Sequence, residues 1–232
     1  MAVYRIADIN IKYETDSSYL LKILEPFITS HTSFDNEIKL SADDIENEYK
    51  ICPEESTNQL KGRALLRKIC TLLLENYNGM FLHCAAIKYK GKAYLFTAPS
   101  GTGKTTHISL WKKHLGDDVE IINGDKPLLR KNGNEIIVYG SPWQGKENYG
   151  CNTNAPLGGI FLIHRAKENS IARASVKESL PFLLSQTVRP NEKESLIKLL
   201  DMLEFTVKNI PVYNLYCNMD KQAMETALSV VE

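Results

Sequence analysis

No apolar run in this chain of 232 residues approaches the roughly 20 residues that a membrane-spanning helix needs; the longest, such as ICTLLLENY and GGIFLIH, fall well short. Neither sign of charge is in excess, with 28 Lys+Arg against 28 Asp+Glu. Bulk attraction to nucleic acid or to an anionic membrane is therefore not expected. Cysteine is sparse. Cys52, Cys70, Cys84, Cys151 and Cys217 are scattered without a CxxC pair, an odd count that fits no closed disulfide framework and suits small apolar residues in a reducing cytoplasm. The five histidines show no HExxH or similar ligand spacing, so a structural zinc site is not expected. The opening MAVYRIADINIKYE lacks the apolar stretch of a secretion signal.

What is present is an ordinary globular content of apolar residues, 43%, enough for a sizeable core. Two parts are expected, residues 1–78 as a small N-terminal α+β module and 79–232 as a nucleotide-binding core. In the first, residues 2–14 alternate like a strand, SSYLLKILEPFI reads as a short capped helix ending near Pro26, NEYKIC reads as a strand, and 58–77 carry helical spacing stopped by NYNG. No chemistry is visible there. In the second, MFLHCAAIKY and KAYLFTA are strand-length apolar runs joined at Lys90–Gly91, VEIIN and KPLLRK read as strands, KNGNEIIVYG supplies an Asn-Gly hairpin turn, and GGIFLIH is a buried strand. Helices at 175–187 and 191–208, the strand PVYNLYC and a closing helix from Lys221 complete it. Strands outnumber helices until late, which predicts an α/β fold with a hairpin-rich mixed sheet and flanking helices.

APSGTGKTT, Ala98–Thr106, nearly fits G-x-x-x-x-G-K-[ST], with Ala98 in the first glycine's place. Each residue type has a reason. Gly101 and Gly103 let backbone N–H groups of Ser100–Thr106 face phosphate oxygens without Cβ clashes. Lys104 brings a point charge to the outer phosphates. Thr105 opens a helix whose dipole favours an anion, and its hydroxyl suits Mg²⁺. Alanine for the first glycine matters only if that position needs positive φ.

Two further residues converge on this loop by register. A two-residue turn at Lys90–Gly91 sets His83 opposite Ala98, at the loop's mouth. The strand in IINGD ends at Asp125, where a metal-binding carboxylate is wanted.

A His-bearing hairpin, SGTGKTT and a strand ending in Asp together resemble the HPr kinase/phosphorylase and phosphoenolpyruvate carboxykinase superfamily. SGTGKTT is similar to the carboxykinase loop, LHCAAIKYKGKAYLFTAPSGTGKTT to the kinase's histidine-to-loop hairpin, and INGDKPLLR and YGSPWQGK to small kinase-like bacterial proteins. The resemblance covers residues 80–165. It implies a carboxykinase/kinase-like P-loop core holding ATP or GTP with Mg²⁺, with Lys104 on the phosphates, Thr105 and Asp125 on the metal, and His83 by the reacting phosphoryl group. Relatives assemble as oligomers, which leaves a homo-oligomer open. One departure stands out: Gly124 occupies the place of the family's first acid, the group held to take the proton from the attacking hydroxyl.

The function implied is a kinase transferring phosphate to a serine-type hydroxyl of a small protein, a peptide or a small molecule, with Asp125 or His83 as base. The alternative is a nucleotide-binding regulatory module without chemistry. A carboxykinase ranks third, since those enzymes are about twice as long. Among other candidates, Lys146 in GSPWQGK is placed to reach a phosphate, while Trp143 suits either a ligand contact or a core anchor. Arg130, Arg165 and Arg189 are candidate anion contacts against a background of ordinary surface charge, and His107 reads as a surface residue.

Overall fold

Residues 2–13 form a hairpin where their alternation suggests a single strand. The structure, a computed structural model describing residues 2–231, turns the chain at Ala7–Asp8, both with positive φ (49° and 60°). Strands β1 (Ala2–Ile6) and β2 (Ile9–Tyr13) pair antiparallel, Ile6 opposite Ile9. The sign of the turn is a phase change: Tyr4 and Ile6 are buried, then Ile9, Ile11 and Tyr13. An even series becomes an odd one, which a continuous strand does not permit. β3 (Asn36–Ile38) joins parallel to β2.

NEYKIC is not a strand. It lies largely in helix α2 (Ala42–Ile51), which Ser41 and Asp44 start with a capping box. The buried Glu48 on that helix meets Arg63 Nε at 3.1 Å and Arg67 Nε, both from α3 (Thr57–Asn76). The local β-like composition yields to an upstream cap and a tertiary ion pair. Before these, Ser17 caps α1 (Ser18–Leu24) by accepting from Leu20 N–H, as the sequence leads one to expect. The core of these elements runs on into later ones: Phe27, Leu65 and Leu73 share a cluster with Phe81, Leu128, Tyr139 and Trp143.

The main sheet is mixed and curled. Its strands are β4 (Gly79–Phe81), β5 (Cys84–Tyr89), β6 (Lys92–Thr97), β7 (Val119–Asn123), β8 (Leu128–Asn132), β9 (Glu135–Tyr139), β10 (Asn154–Arg165), β11 (Ser170–Arg173) and β12 (Val212–Cys217). Among the described residues the order is β4-β8-β9-β10-β6-β5-β7, with β12 also on β10 and β11 on β12. Among the described residues, the parallel pairings of this sheet are β6 with β10 and β10 with β12. β10 causes the curl. It pairs with β9 through Asn154–Pro156 and with β12 from Ile160, and its register against β6 shifts between Leu157 and Gly159.

Side-chain alternation along β6 and β10 separates two helical layers. Phe96 and Phe161 face α4 (Lys104–Leu115) and α7 (Lys221–Leu228), whose Ile108, Trp111, Ala223 and Ala227 fill that side. Leu95 and Leu162 face α5 (Val176–Ser185) and α6 (Lys193–Asn209) through Leu183, Leu199 and Leu203. The β8–β9 turn falls at Gly133–Asn134, since Asn132 still pairs with Glu135; the expected Asn-Gly turn is one residue early. Among the described residues no helix is long and apolar enough to cross a membrane.

Candidate functional site

The β5–β6 turn fixes everything downstream. Lys90 and Gly91 take φ of 47° and 77°, the doubly positive pattern of a tight hairpin turn whose twist matches its strands. Tyr89 therefore pairs with Lys92, and the ladder counts down to Cys84 opposite Thr97. One step further, His83 stands level with Ala98. The Thr97 hydroxyl donates to the His83 carbonyl at 3.0 Å, and His83 N–H donates to the Gln186 carbonyl at 2.7 Å. Its backbone is thus held from both flanks.

Beyond Thr97 the chain loops through Ala98–Gly103 into α4. Gly101 and Gly103 take φ of 75° and 124°, a region that side chains disfavour. Thr102 N–H closes a turn on the Pro99 carbonyl at 3.2 Å. Lys104, only 8% exposed, returns its ammonium to the Ala98 carbonyl at 3.1 Å. Burial pushes that ammonium's pKa down, while nearby Asp125 pulls it up. Ser100 and Thr106 are exposed and Thr105 is half-buried in the first turn of α4. Arg165, at the end of β10, braces the loop by donating from Nε to Thr102 O at 3.0 Å and from its terminal nitrogen to Gly101 O.

Asp125 follows β7, the strand beside β5. Its Oδ1 lies 3.1 Å from His83 Nε2, and its Oδ2 pairs with the Lys126 ammonium. Burial pushes the carboxyl up, but the His83 hydrogen bond and the Lys126 charge outweigh it and hold Asp125 at about 2. The turn carrying Asp125 is built by Asn123, which is fully buried. The Asn123 Oδ1 accepts from the N–H groups of Asp125 and Lys126 at 2.9 and 2.7 Å, and its Nδ2 donates to the carbonyl and hydroxyl of Ser141, each at 3.1 Å. Asn123 and Lys126 are neighbours of Asp125 that sequence reasoning missed. An Asn two residues before the acid was a usable signal, because Asn side chains commonly bond backbone two residues on.

Gly124 stands where a side chain has no room. Its N–H donates to Tyr149 O at 2.7 Å, and a Cβ placed there would meet Gln144 O at 2.9 Å and Tyr149 O at 3.2 Å. The segment 144–149 fills the space in which a side chain at position 124 would stand. Within it, a Cβ at Gly145 (φ 81°) would lie 3.2 Å from the Asp125 Cβ, so the turn folds directly over the carboxylate. Lys146, exposed on that turn, is close in chain position but contacts none of these groups through a hydrogen bond or ion pair. Glu147 Oε2 lies 3.8 Å from the same Gly145 point and was not singled out from sequence.

Other sequence candidates fall elsewhere. Trp143 is a core anchor, its Nε1 donating to Gly62 O at 3.1 Å. Arg130 bonds Ala7 O at 2.7 Å and lies over Tyr77. Arg189 lines a separate groove with Arg67, Lys68 and Ser195. His107 is not a surface residue: it is 3% exposed, its Nε2 accepts from Trp111 Nε1 at 3.2 Å, and burial pushes its pKa down to about 3. Four-residue spacing puts both rings on the face of α4 that packs against Phe96.

No family model matches the chain, and no curated protein matches it. Among solved structures it is similar to the HPr(Ser) kinase/phosphatase of Coxiella burnetii, at 8% identity over 65% of this chain and 93% of that one, with a TM-score of 0.35. A likeness that distant bears on no residue of the site.

Proposed function

We propose that the chain is a nucleotide-dependent kinase that transfers the terminal phosphoryl group of ATP or GTP to a hydroxyl acceptor. The observation that carries this reading is the His83 Nε2–Asp125 Oδ1 contact of 3.1 Å beside a glycine-shaped loop with a buried lysine at its foot. In this reading the amides of Ser100–Thr106 cradle phosphates and Lys104 offsets their charge. Thr105 and Asp125 offer the hard oxygen donors that Mg²⁺ prefers. Bound there, Mg²⁺ would neutralise phosphate oxygens.

The dyad supplies the proton chemistry. An anionic Asp125 accepting from His83 Nε2–H leaves Nδ1 of the neutral imidazole as a base. The acceptor's hydroxyl gives its proton to Nδ1 as its oxygen bonds the terminal phosphorus. The bond from that phosphorus to the bridging oxygen breaks, and a nucleoside diphosphate leaves. Such a transfer relies mainly on positioning and charge, so a histidine base suffices without an acid at position 124.

One observation favours a second reading, a nucleotide-binding module without transfer: the space at Gly124 is closed by Gln144 and Tyr149 carbonyls. Incubation with γ-labelled ATP, Mg²⁺ and hydroxyl acceptors separates the two. Label should reach acceptor or inorganic phosphate in the wild type and do so at least about 10²-fold more slowly in His83→Ala or Asp125→Asn. Tight nucleotide binding with no label released by any acceptor, or equal release by the variants, would reject the kinase reading.

A further inference from the structure

The loop leaves β6, the edge member of the parallel set β12-β10-β6, and the sheet order gives it two different flanks, parallel β10 on one side and antiparallel β5 on the other. On one side lie β5 and β7, which bring His83 and Asp125. On the other lie β10 and β12, whose ends border a cavity of about 420 Å³ that touches neither of those residues. Its floor is the loop itself, Gly101–Gly103. Its walls are Thr106, His107 and Leu110 of α4, Ile163 and Arg165 of β10 with Ala166, and Cys217–Met219 after β12.

Three features suit this cavity to a flat, largely apolar group joined to something charged. Its volume falls in the range of small-molecule sites, and it opens at the carboxyl ends of parallel strands, where α/β sheets receive ligands. Met219 sits on its rim 73% exposed, a thioether spread on the surface with little to pack against. His107, buried in its wall, accepts at Nε2 from Trp111, which puts the imidazole proton on Nδ1; that nitrogen has no hydrogen-bond partner.

We propose that this cavity holds the nucleoside end of the nucleotide, its base lying against Leu110, Ile163 and Met219. The placement rests on the nucleotide reading of the loop and gives the ligand a direction: base at β10 and β12, phosphates over Gly101–Lys104, reactive end at β5 and β7. Arg165, tied to the Gly101 and Thr102 carbonyls, then couples the shape of the base cavity to the shape of the phosphate loop.

Calorimetric titration of the full chain with Mg²⁺ and either ATP or inorganic tripolyphosphate tests it. Tripolyphosphate has the phosphates without base or sugar. ATP should bind at least about ten-fold more tightly than tripolyphosphate to the wild type, a margin of about 1.4 kcal/mol. Ala166→Phe, which fills the cavity without adding charge, should remove that margin and leave tripolyphosphate unchanged. Met219→Ser, at an exposed site that does not threaten folding, should reduce it in the same direction. ATP and tripolyphosphate binding equally to the wild type would overturn the placement alone, as would both variants keeping the full ATP margin. Neither ligand binding would overturn the nucleotide reading and the placement with it.

Discussion

His83 and Asp125 meet at 3.1 Å, although they come from two strands separated in sequence by the whole loop and helix α4. The contact exists because β5 pairs with both β6 and β7, so the residue before β5 and the second residue after β7 reach the same corner. The continuation of that pairing, Cys84 N–H to Asp125 O at 3.0 Å, holds the two backbones in step. The side chains are thus fixed from their backbones outward, as the proposed proton transfer would require.

If His83 is the base, His83→Ala should lower label transfer by about 10²–10⁴-fold. Nucleotide affinity, read by titration, should change little, because the proposed reading assigns the phosphates to the loop and Lys104. Loss of binding in parallel with loss of transfer would assign His83 to the ligand instead.

Introducing an acid at position 124 should not help. Gly124→Asp sets a Cβ 2.9 Å from Gln144 O and displaces the 144–149 segment. We expect a stability loss of about 1–3 kcal/mol, typical of overpacking, with no gain in transfer. Thermal melting and the label assay read the two together; a stable variant with raised turnover would contradict the crowding account.

Cys151 gives a pH-dependent reading of the segment that carries this turn. Burial, and then the neighbouring Glu120 carboxylate, push its thiol up to about 11. The thiolate is the reactive form, so at pH 8 only about one thiol in a thousand is ionised, and alkylation should climb about tenfold per pH unit toward pH 11. Glu120→Gln removes the negative charge that opposes ionisation and should raise iodoacetamide labelling at pH 9, followed by mass spectrometry of the Cys151 peptide.

Glu48 should reveal what joins α2 to α3. Its carboxylate is 1% exposed, while the Arg63 and Arg67 side chains remain 37% and 40% exposed. Removing both arginines strands a buried charge and should cost about 3 kcal/mol or more, whereas Glu48→Leu leaves two cations that water can serve and should cost less. Chemical denaturation of the two variants decides the order.

Much of the site was legible because it was local. Lys90–Gly91 dictated a tight turn, the turn dictated the register, and the register set His83 at Ala98. Gly101, Gly103 and Lys104 announced the loop by residue type and spacing. The misreadings have a common origin in packing. Asn47–Cys52 has strand-like residues, yet a cap at Ser41 and a partner for Glu48 make it helical. His107 carries a polar ring, yet the aromatic layer over Phe96 encloses it.

The sequence by itself determined the loop, the turn beside it and the two residues those elements aim toward each other, since backbone preferences of glycine and the period of a strand act over a few residues. Only the tertiary structure decided that Asn123 holds the acid's turn, that carbonyls from 144 and 149 occupy the space at Gly124, and that a cavity opens on the far flank of the loop. Those facts depend on segments distant in sequence arriving at one place, and close packing, which no local preference encodes, determines what fits there.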